Sequence, residues 1–160
     1  MASVARIVSG GQSGVDRAAL DVALRLGIPY AGWCPAGGWA EDLPVPPGVR
    51  RRFPLLREAG SADGDERTRL NVHDSDATLV LAGAGTASAG TMLTIQAAEE
   101  LGRPVLVVTP EDLAGAAEVV RAWLATLAPH LVLNVAGPRA SEWPEGYDVT
   151  TALLLAVWTG

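Results

Sequence analysis

The stretch that decides the fold is residues 7–27, which read IVSGGQSGVDRAALDVALRLG. A short β-branched run leads into a glycine-rich turn, and a helical pattern of apolar residues follows. The turn consists of Gly10, Gly11, Gln12, Ser13 and Gly14. Strand, turn and helix bring backbone N–H groups and the positive end of a helix dipole to one point, which attracts oxyanions. We expect this turn to bind an anionic ligand, although a tight strand-to-helix connection can need glycine without binding anything.

The rest of the chain alternates short apolar runs with longer helical patterns, as in a parallel sheet covered on both faces. Strands are predicted at about Val4–Ser9, Ile28–Ala31, Ala77–Leu81, Pro104–Val108 and Leu131–Val135. Helices are predicted at about Val15–Leu26, Asp65–His73, Gly90–Leu101, Asp112–Leu127 and Tyr147–Trp158. The predicted fold class is α/β: a single three-layer Rossmann-like domain over residues 1–160, with a mostly parallel sheet of about five strands and helices on both faces.

Composition excludes several function classes. The 160 residues are 49% hydrophobic and carry a formal net charge of −6, and the 12 basic residues are all arginine. Without lysine there is no Schiff base and no P-loop, and an acidic surface disfavours nucleic acid as a partner. One cysteine excludes an internal disulfide framework. No apolar run approaches ~18 residues, so we expect no membrane partner and a cytoplasmic protein.

The first turn also lacks the acidic residue of a dinucleotide site. That residue should follow roughly 20 residues on, where it holds the ribose. Residues 30–33 read Tyr-Ala-Gly-Trp instead, which argues against a dinucleotide-dependent dehydrogenase. At the ends of the first helix, Ser13 with Asp16 predicts a capping box, and Gly27 predicts the C-terminal end. The capping box explains Asp16 without a ligand contact.

A second glycine turn follows the third predicted strand, where residues 83–91 read GAGTASAGT before another helix. In a doubly wound sheet both turns lie at the carboxyl ends of their strands, where ligands bind. Two facing turns of this kind suit a ligand with a phosphate or extended polar groups. The candidate ligand contacts here are Gly85, Thr86, Ser88, Gly90 and Thr91. The hydroxyl residues could instead serve only to cap the helix.

The long segment Gly32–Ala62 is predicted to be a structured binding loop, since loops of this length in compact domains are usually functional or disordered. We include Gly37 and Gly38 among its ligand contacts. Trp33 and Trp39 could stack on a flat heterocycle or simply anchor the loop. Cys34 is a lone cysteine, which is more often a small buried side chain than a ligand.

Four charged residues have open roles. Glu41 and Asp42 form a carboxylate pair suited to acid–base catalysis or to magnesium, or else they anchor the arginines at 50–52. Arg17 could bind an oxyanion, pair with Asp42 or lie on the surface. Arg139, after the last strand, could reach the ligand or bridge subunits.

The residues quoted above resemble a known family. Residues 7–42, together with DSDATLVL, SAGTMLTIQAAEELGRPVLVV and NVAGPRASE, look like the molybdenum cofactor carrier proteins. That family is part of a Rossmann-like superfamily with the lysine-decarboxylase-like, cytokinin-activating phosphoribohydrolases and the DNA-processing A proteins. The resemblance spans residues 7–158.

The resemblance implies a homo-oligomer, dimer or tetramer, that holds molybdopterin, stores it and transfers it to molybdoenzyme acceptors. By position, the phosphate end would lie on the first turn, with the second turn closing the other side, so Gly11→Asp should abolish binding with the fold intact. The phosphoribohydrolases carry a glutamate after Gly-Thr, whereas Ala87, Ser88 and Ala89 follow Thr86 here. A nucleotide-processing enzyme using Glu41 or Asp42 instead remains the alternative to a binding protein without catalysis.

Overall fold

The computed structural model describes residues 4–160, in which strands and helices alternate. The strands are β1 Val4–Val8, β2 Tyr30–Ala31, β3 Trp33–Cys34, β4 Arg57–Glu58, β5 Ala77–Leu81, β6 Val105–Val108 and β7 Leu131–Ala136. The helices are α1 Val15–Leu26, α2 Gly64–His73, α3 Ala89–Glu100, α4 Leu113–Ala125 and α5 Gly146–Thr159. Within this part of the chain, no helix is long and apolar enough to cross a membrane.

Five of the strands form one parallel sheet in the order β2-β1-β7-β5-β6. This confirms the α/β class with a five-stranded parallel sheet. The last strand, β7, lies between β1 and β5, with Ile7 and Ala77 both in register with Leu133. Because the three strands are parallel, the segments that follow them emerge side by side at the carboxyl edge of the sheet.

The helices pack in two groups, α1 with α5 and α4 on one side and α2 with α3 on the other. The larger core joins the first group to the sheet through side chains such as Leu79, Leu133 and Leu154, all fully buried. Val72 of α2 packs with Ala98 of α3 in a smaller cluster. The predicted three-layer arrangement, with helices on both faces, is confirmed.

The segment Gly32–Ala62 is held by a small core of its own. Strands β3 and β4 pair in parallel inside it, and single-turn 3-10 segments occur at Ala36–Gly38 and Gly48–Arg51. The buried side chains of this second core are Leu20, Cys34, Val49, Phe53 and Leu56. The prediction of a structured segment holds, whereas its two-stranded sheet has no signal in the sequence pattern because each strand is two residues long.

The predicted C-terminal end of α1 is confirmed, whereas the predicted N-terminal cap is not. Gly27 ends the helix with φ 68°, as predicted, and the N–H of Ile28 bonds to the carbonyl of Ala23, so that β2 begins later than expected. The capping box at Ser13 is wrong. The helix begins after Gly14, and the Ser13 hydroxyl instead donates to Glu41 Oε1 at 2.7 Å.

The conformation of Gly14 explains why Ser13 contacts another segment and does not cap the helix. Its φ is 80°, and a Cβ at this position would lie 2.8 Å from the carbonyl oxygen of Pro138. The segment after β7 therefore crosses directly over the start of α1. There the N–H of Ala140 donates to Ser13 Oγ at 3.1 Å, so the serine serves a contact distant in sequence.

Candidate functional site

A cavity of about 370 Å³ opens at the carboxyl edge of the sheet. Its walls come from the turn after β1, the first turn of α1, helix α2, the N-terminal half of α3, and the end of β7 with the residues that follow. The two glycine turns thus contribute to one cavity, as the sheet topology requires. A volume of this size lies at the lower end of the usual range for small-molecule sites, about 300–1,000 Å³.

Arg67, on the first turns of α2, extends into this cavity with its side chain only 16% exposed. Its Nε donates to the carbonyl of Gly64 at 3.2 Å, and its Nη1 contacts the carbonyl of Gly10 at 3.4 Å. A Cβ on Gly10 would lie 2.5 Å from Nη1, so the absence of a side chain there makes room for the guanidinium. The arginine has donors left over for an anion in the cavity.

Asp16 faces the same cavity and is 7% exposed. Its Oδ2 lies 3.8 Å from Arg67 Nη1, which is beyond hydrogen-bond distance. Burial raises the pKa of Asp16 from 3.8 to about 6, against the lowering effects of the Arg67 and Arg17 charges and of the backbone N–H groups of Gln12 and Gly137. A carboxyl group in a cavity whose pKa lies close to neutral pH is a candidate for a functional role.

The N-terminus of α3 supplies the opposite wall. Ser88 caps this helix, its Oγ accepting from the N–H of Thr91 at 3.2 Å, so the capping role considered for the serine is real. The first N–H groups of a helix have no partner within it, and those of α3 belong to Ala89 and Gly90, which line the cavity. The first turn of α3 contains no acidic residue.

Within the first glycine turn, only Gly10 and Gln12 line the cavity. Ser13 and Gly14 contact the segment after β7, as described above. Gly11, with φ 75°, packs against the loop core, where a Cβ would lie 3.0 Å from Leu56 Cδ1. Gly11→Asp would therefore strain the backbone and the loop packing, so it does not test ligand binding with the fold intact.

Arg17 turns away from the cavity. Its two terminal nitrogens bond to the two oxygens of Asp42 at 2.9 Å each, and its Nε bonds to the carbonyl of Gly11 at 3.2 Å. Arg17 therefore pairs with Asp42, which is one of the three roles proposed for it from the sequence. The hydrogen bond from Arg17 lowers the pKa of Asp42.

Glu41 also lies outside the cavity lining, at a junction of three segments. It accepts from Ser13 Oγ and from the N–H of Ser141 at 2.9 Å, while Arg139 Nε lies 3.6 Å away. Its hydrogen bonds with these serines lower its pKa against the opposing effect of burial, which is the largest single contribution. Arg139 does line the cavity, and it pairs with Glu142 as well as with Glu41.

The remaining candidates lie elsewhere. Cys34 is fully buried and its thiol donates to the carbonyl of Arg57, while Trp33 donates from Nε1 to Asp74. The other candidates that do not line the cavity are Gly37, Gly38, Trp39, Gly85 and Thr86. Burial raises the pKa of the Cys34 thiol. Among residues 4–160, the structure has no group of three or more His, Cys, Asp or Glu side chains arranged to hold a metal ion.

Sequence reasoning missed Arg67 altogether. An arginine five residues after the end of the predicted loop has no local motif, and it enters the cavity only because α2 packs beside α3 at the edge of the sheet. Asn134, at the end of β7, is a second missed lining residue, and it is buried. A buried polar residue in a central strand is unusual, and this is the signal by which Asn134 can be recognised in the sequence.

Residues 7–158 match the model of the Circularly permutated YpsA SLOG family. The chain belongs to this family. A solved structure named "Putative molybdenum carrier protein", from Syntrophus aciditrophicus SB, is 38% identical, with a TM-score of 0.89, and the match covers 98% of this chain and 96% of that one. The comparison with curated proteins gave no match.

Proposed function

We propose that this protein binds and carries molybdenum cofactor, storing the phosphate-bearing molybdopterin and transferring it to acceptor enzymes. The observation that carries the proposal is the cavity in which Arg67 and the start of α3 lie together. The resemblance to a protein named as a molybdenum carrier supports the choice of ligand.

The anionic end of the ligand is assigned to α3 by comparing the helices that begin at the cavity. Helix α1 has Asp16 in its first turn, and α2 is capped by Asp63 and has Asp65 in its first turn. These carboxylates already compensate the positive ends of their helix dipoles. Helix α3 has none, so an external anion is best stabilised there, with Arg67 as its charged partner.

The rest of the cavity fits the other end of such a ligand. Asp63, Asp65 and Asn134 line it and offer carboxylate and amide oxygens. A pterin ring presents amino and ring N–H groups, which are hydrogen-bond donors, and would be held by such acceptors. Cys34 does not line the cavity, so molybdenum would be ligated by the dithiolene of the cofactor and not by this thiol.

A carrier has better support than the alternative, a nucleotide-processing enzyme of the phosphoribohydrolase type. That alternative needs Glu41 or Asp42 as the acting carboxylate. Both lie outside the cavity lining, and both are engaged, Glu41 with the two serines and Asp42 with Arg17. As further parts of the proposal, the carrier is a cytoplasmic homo-oligomer, dimer or tetramer, whose partners are molybdoenzymes that lack their cofactor.

The test is to load the purified protein anaerobically with molybdenum cofactor and to measure bound molybdenum and pterin, then the activation of a cofactor-free molybdoenzyme. We expect Arg67→Gln to lose most of the bound cofactor. Arg69→Gln is the matched control, because Arg69 lies on the same helix, is 52% exposed and pairs with Glu100. Wild-type protein that neither retains nor delivers cofactor would sink the proposal, and release of free base from nucleoside monophosphates would favour the enzyme.

A further inference from the structure

A separate hollow of about 360 Å³ lies on the sheet and shares no lining residue with the cavity that contains Arg67. We call it the Trp33 pocket, and its walls include Arg6, Val8, Trp33, Arg57, Asp74 and Val132. Ile7 belongs to the larger core, so Arg6 and Val8 on either side of it point to the opposite face of the sheet. Strand β1 has a neighbour on each side, yet Arg6 is exposed, so this face of the sheet is open to solvent at the pocket.

Two arginines of the Trp33 pocket have donors to spare. Within residues 4–160, the guanidinium groups of Arg6 and Arg57 form no hydrogen bond and no ion pair. Asp74 is the acidic residue of the lining, but its Oδ2 accepts from Trp33 Nε1 at 2.8 Å and its Oδ1 lies 2.9 Å from His73 Nδ1. Two arginines and one aspartate leave the pocket with a charge of +1, in a chain whose net charge is −6.

The indole of Trp33 is a wall of the pocket that is held from several directions. The N–H of Trp33 donates to Asn71 Oδ1 at 2.7 Å, and Asn71 Nδ2 donates to the carbonyl of Trp33 at 3.0 Å. Asn71 is only 3% exposed. The indole N–H is bonded to Asp74, and the guanidinium carbon of Arg57 lies 5.5 Å from the ring centroid. An aromatic wall that is fixed in advance lowers the entropic cost of binding a ligand.

We propose that the Trp33 pocket binds a small aromatic monoanion of the aryl carboxylate class. The carboxylate would lie on Arg6 and Arg57, because a guanidinium presents paired N–H donors that match carboxylate oxygens. A single negative charge also balances the charge of the pocket. The ring of the ligand would lie against the Trp33 indole and the apolar side chains of the sheet. This inference goes beyond the proposed function, since it concerns a different cavity and a different ligand.

The experiment is an NMR titration of the isotope-labelled full chain with benzoate, benzamide and acetate. Benzamide has the shape of benzoate without its charge, and acetate has the charge without the ring. The signal to follow is the indole N–H of Trp33, identified by its loss in Trp33→Phe. We expect benzoate to shift this signal to saturation and to bind at least about tenfold tighter than benzamide or acetate, because only benzoate makes both kinds of contact. Equal binding of benzoate and benzamide, or no shift with benzoate, would overturn the inference.

Arg6→Gln should weaken benzoate binding by about tenfold, because it removes a charged hydrogen-bond donor. Arg25→Gln is the matched control, since Arg25 is exposed on α1, lies outside the pocket lining and has no ion pair within residues 4–160. Unchanged affinity in Arg6→Gln, or an equal loss in Arg25→Gln, would contradict the proposal. If Arg6→Gln failed to fold, the comparison of benzoate with benzamide in the wild type would still decide.

Arg67→Gln distinguishes the two cavities. The affinity for benzoate at Trp33 should stay within about twofold of wild type in this variant, as expected for sites without shared partners. Loss of the Trp33 response in Arg67→Gln would place benzoate in the other cavity and overturn the inference. Retention of molybdenum cofactor is measured separately, so the proposed function and this inference can fail independently.

Discussion

The guanidinium of Arg17 and the carboxylate of Asp42 form a two-pronged ion pair, with both nitrogen–oxygen distances at 2.9 Å. The pair joins the first helix to the loop between β3 and β4. The Arg17 side chain is 8% exposed, whereas Asp42 is 46% exposed. An arginine this deeply buried depends on its partner, so the contact fixes the loop against α1.

We predict that Asp42→Asn lowers the free energy of unfolding by about 1–2 kcal/mol at neutral pH, as for the loss of a charged hydrogen bond. The pKa of Asp42 is lowered in the fold, so its stabilisation is present above the ordinary value of 3.8 and is lost as the pH falls through the lower folded value. The difference in urea unfolding between wild type and variant should shrink as the pH falls below 3.8. An unchanged difference at acid pH would contradict this, and Glu99→Gln on exposed α3 surface is the control.

Glu41→Ala should destabilise the protein by about 1–3 kcal/mol, because it leaves the buried Ser13 hydroxyl and the Ser141 N–H without their acceptor. Glu41→Gln should retain much of the stability, since its amide oxygen can still accept. Hydrogen exchange at Ser141 reports the effect directly. The amount of bound molybdenum cofactor should change less than twofold, and a complete loss of binding would show that Glu41 belongs to the ligand site.

Asp16 should make the unliganded protein less stable as the pH rises. Its folded pKa, about 6, lies above the ordinary value of 3.8, so its favourable contribution is present below 3.8 and is lost as the pH rises through 6. Asp16→Asn avoids this cost, and its stability relative to wild type should increase between acid and neutral pH by on the order of 3 kcal/mol. If the free energies of unfolding of wild type and variant changed in parallel with pH, burial would not be disfavouring the charged form of Asp16.

Gly14→Ala should destabilise the protein by about 2–4 kcal/mol, because φ is positive and the new Cβ would meet the carbonyl of Pro138. Gly27→Ala is the matched control: its φ is also positive, but nothing lies within 4 Å of the added Cβ. The control should cost about 1 kcal/mol. Equal thermal shifts for the two variants would mean that the crossing after β7 exerts no steric constraint on Gly14.

The sheet was predictable because hydrophobic periodicity is local. Each strand of the main sheet and each of the five helices is indicated by its own residues, and the parallel arrangement follows from their alternation. The turn at Gly10 was recognisable for the same reason. The predicted cap at Ser13 was wrong because this side chain contacts Ala140 and not the first turn of the helix. No local rule anticipates a partner 127 residues away in the sequence.

The site was predictable only in part. The second turn at Ser88 to Thr91 was found because glycine and hydroxyl residues before a helix are a sequence signal, and both ends of it line the cavity. Arg67 and Asp16 were not found as a pair, since they come from different helices and meet only through packing. The charged residues of the candidate site therefore could not be identified from local sequence patterns, because only the packing of the helices brings them together.

The buried thiol of Cys34 gives the protein a built-in chemical reporter. It is the single cysteine of the chain, fully buried in the core of the loop and bonded to the carbonyl of Arg57. A thiol reagent can reach it only when that loop opens, so the labelling rate measures opening of the loop without any engineered probe. Since the cavity lies apart from this loop core, labelling with and without ligand reads out whether the two regions move together.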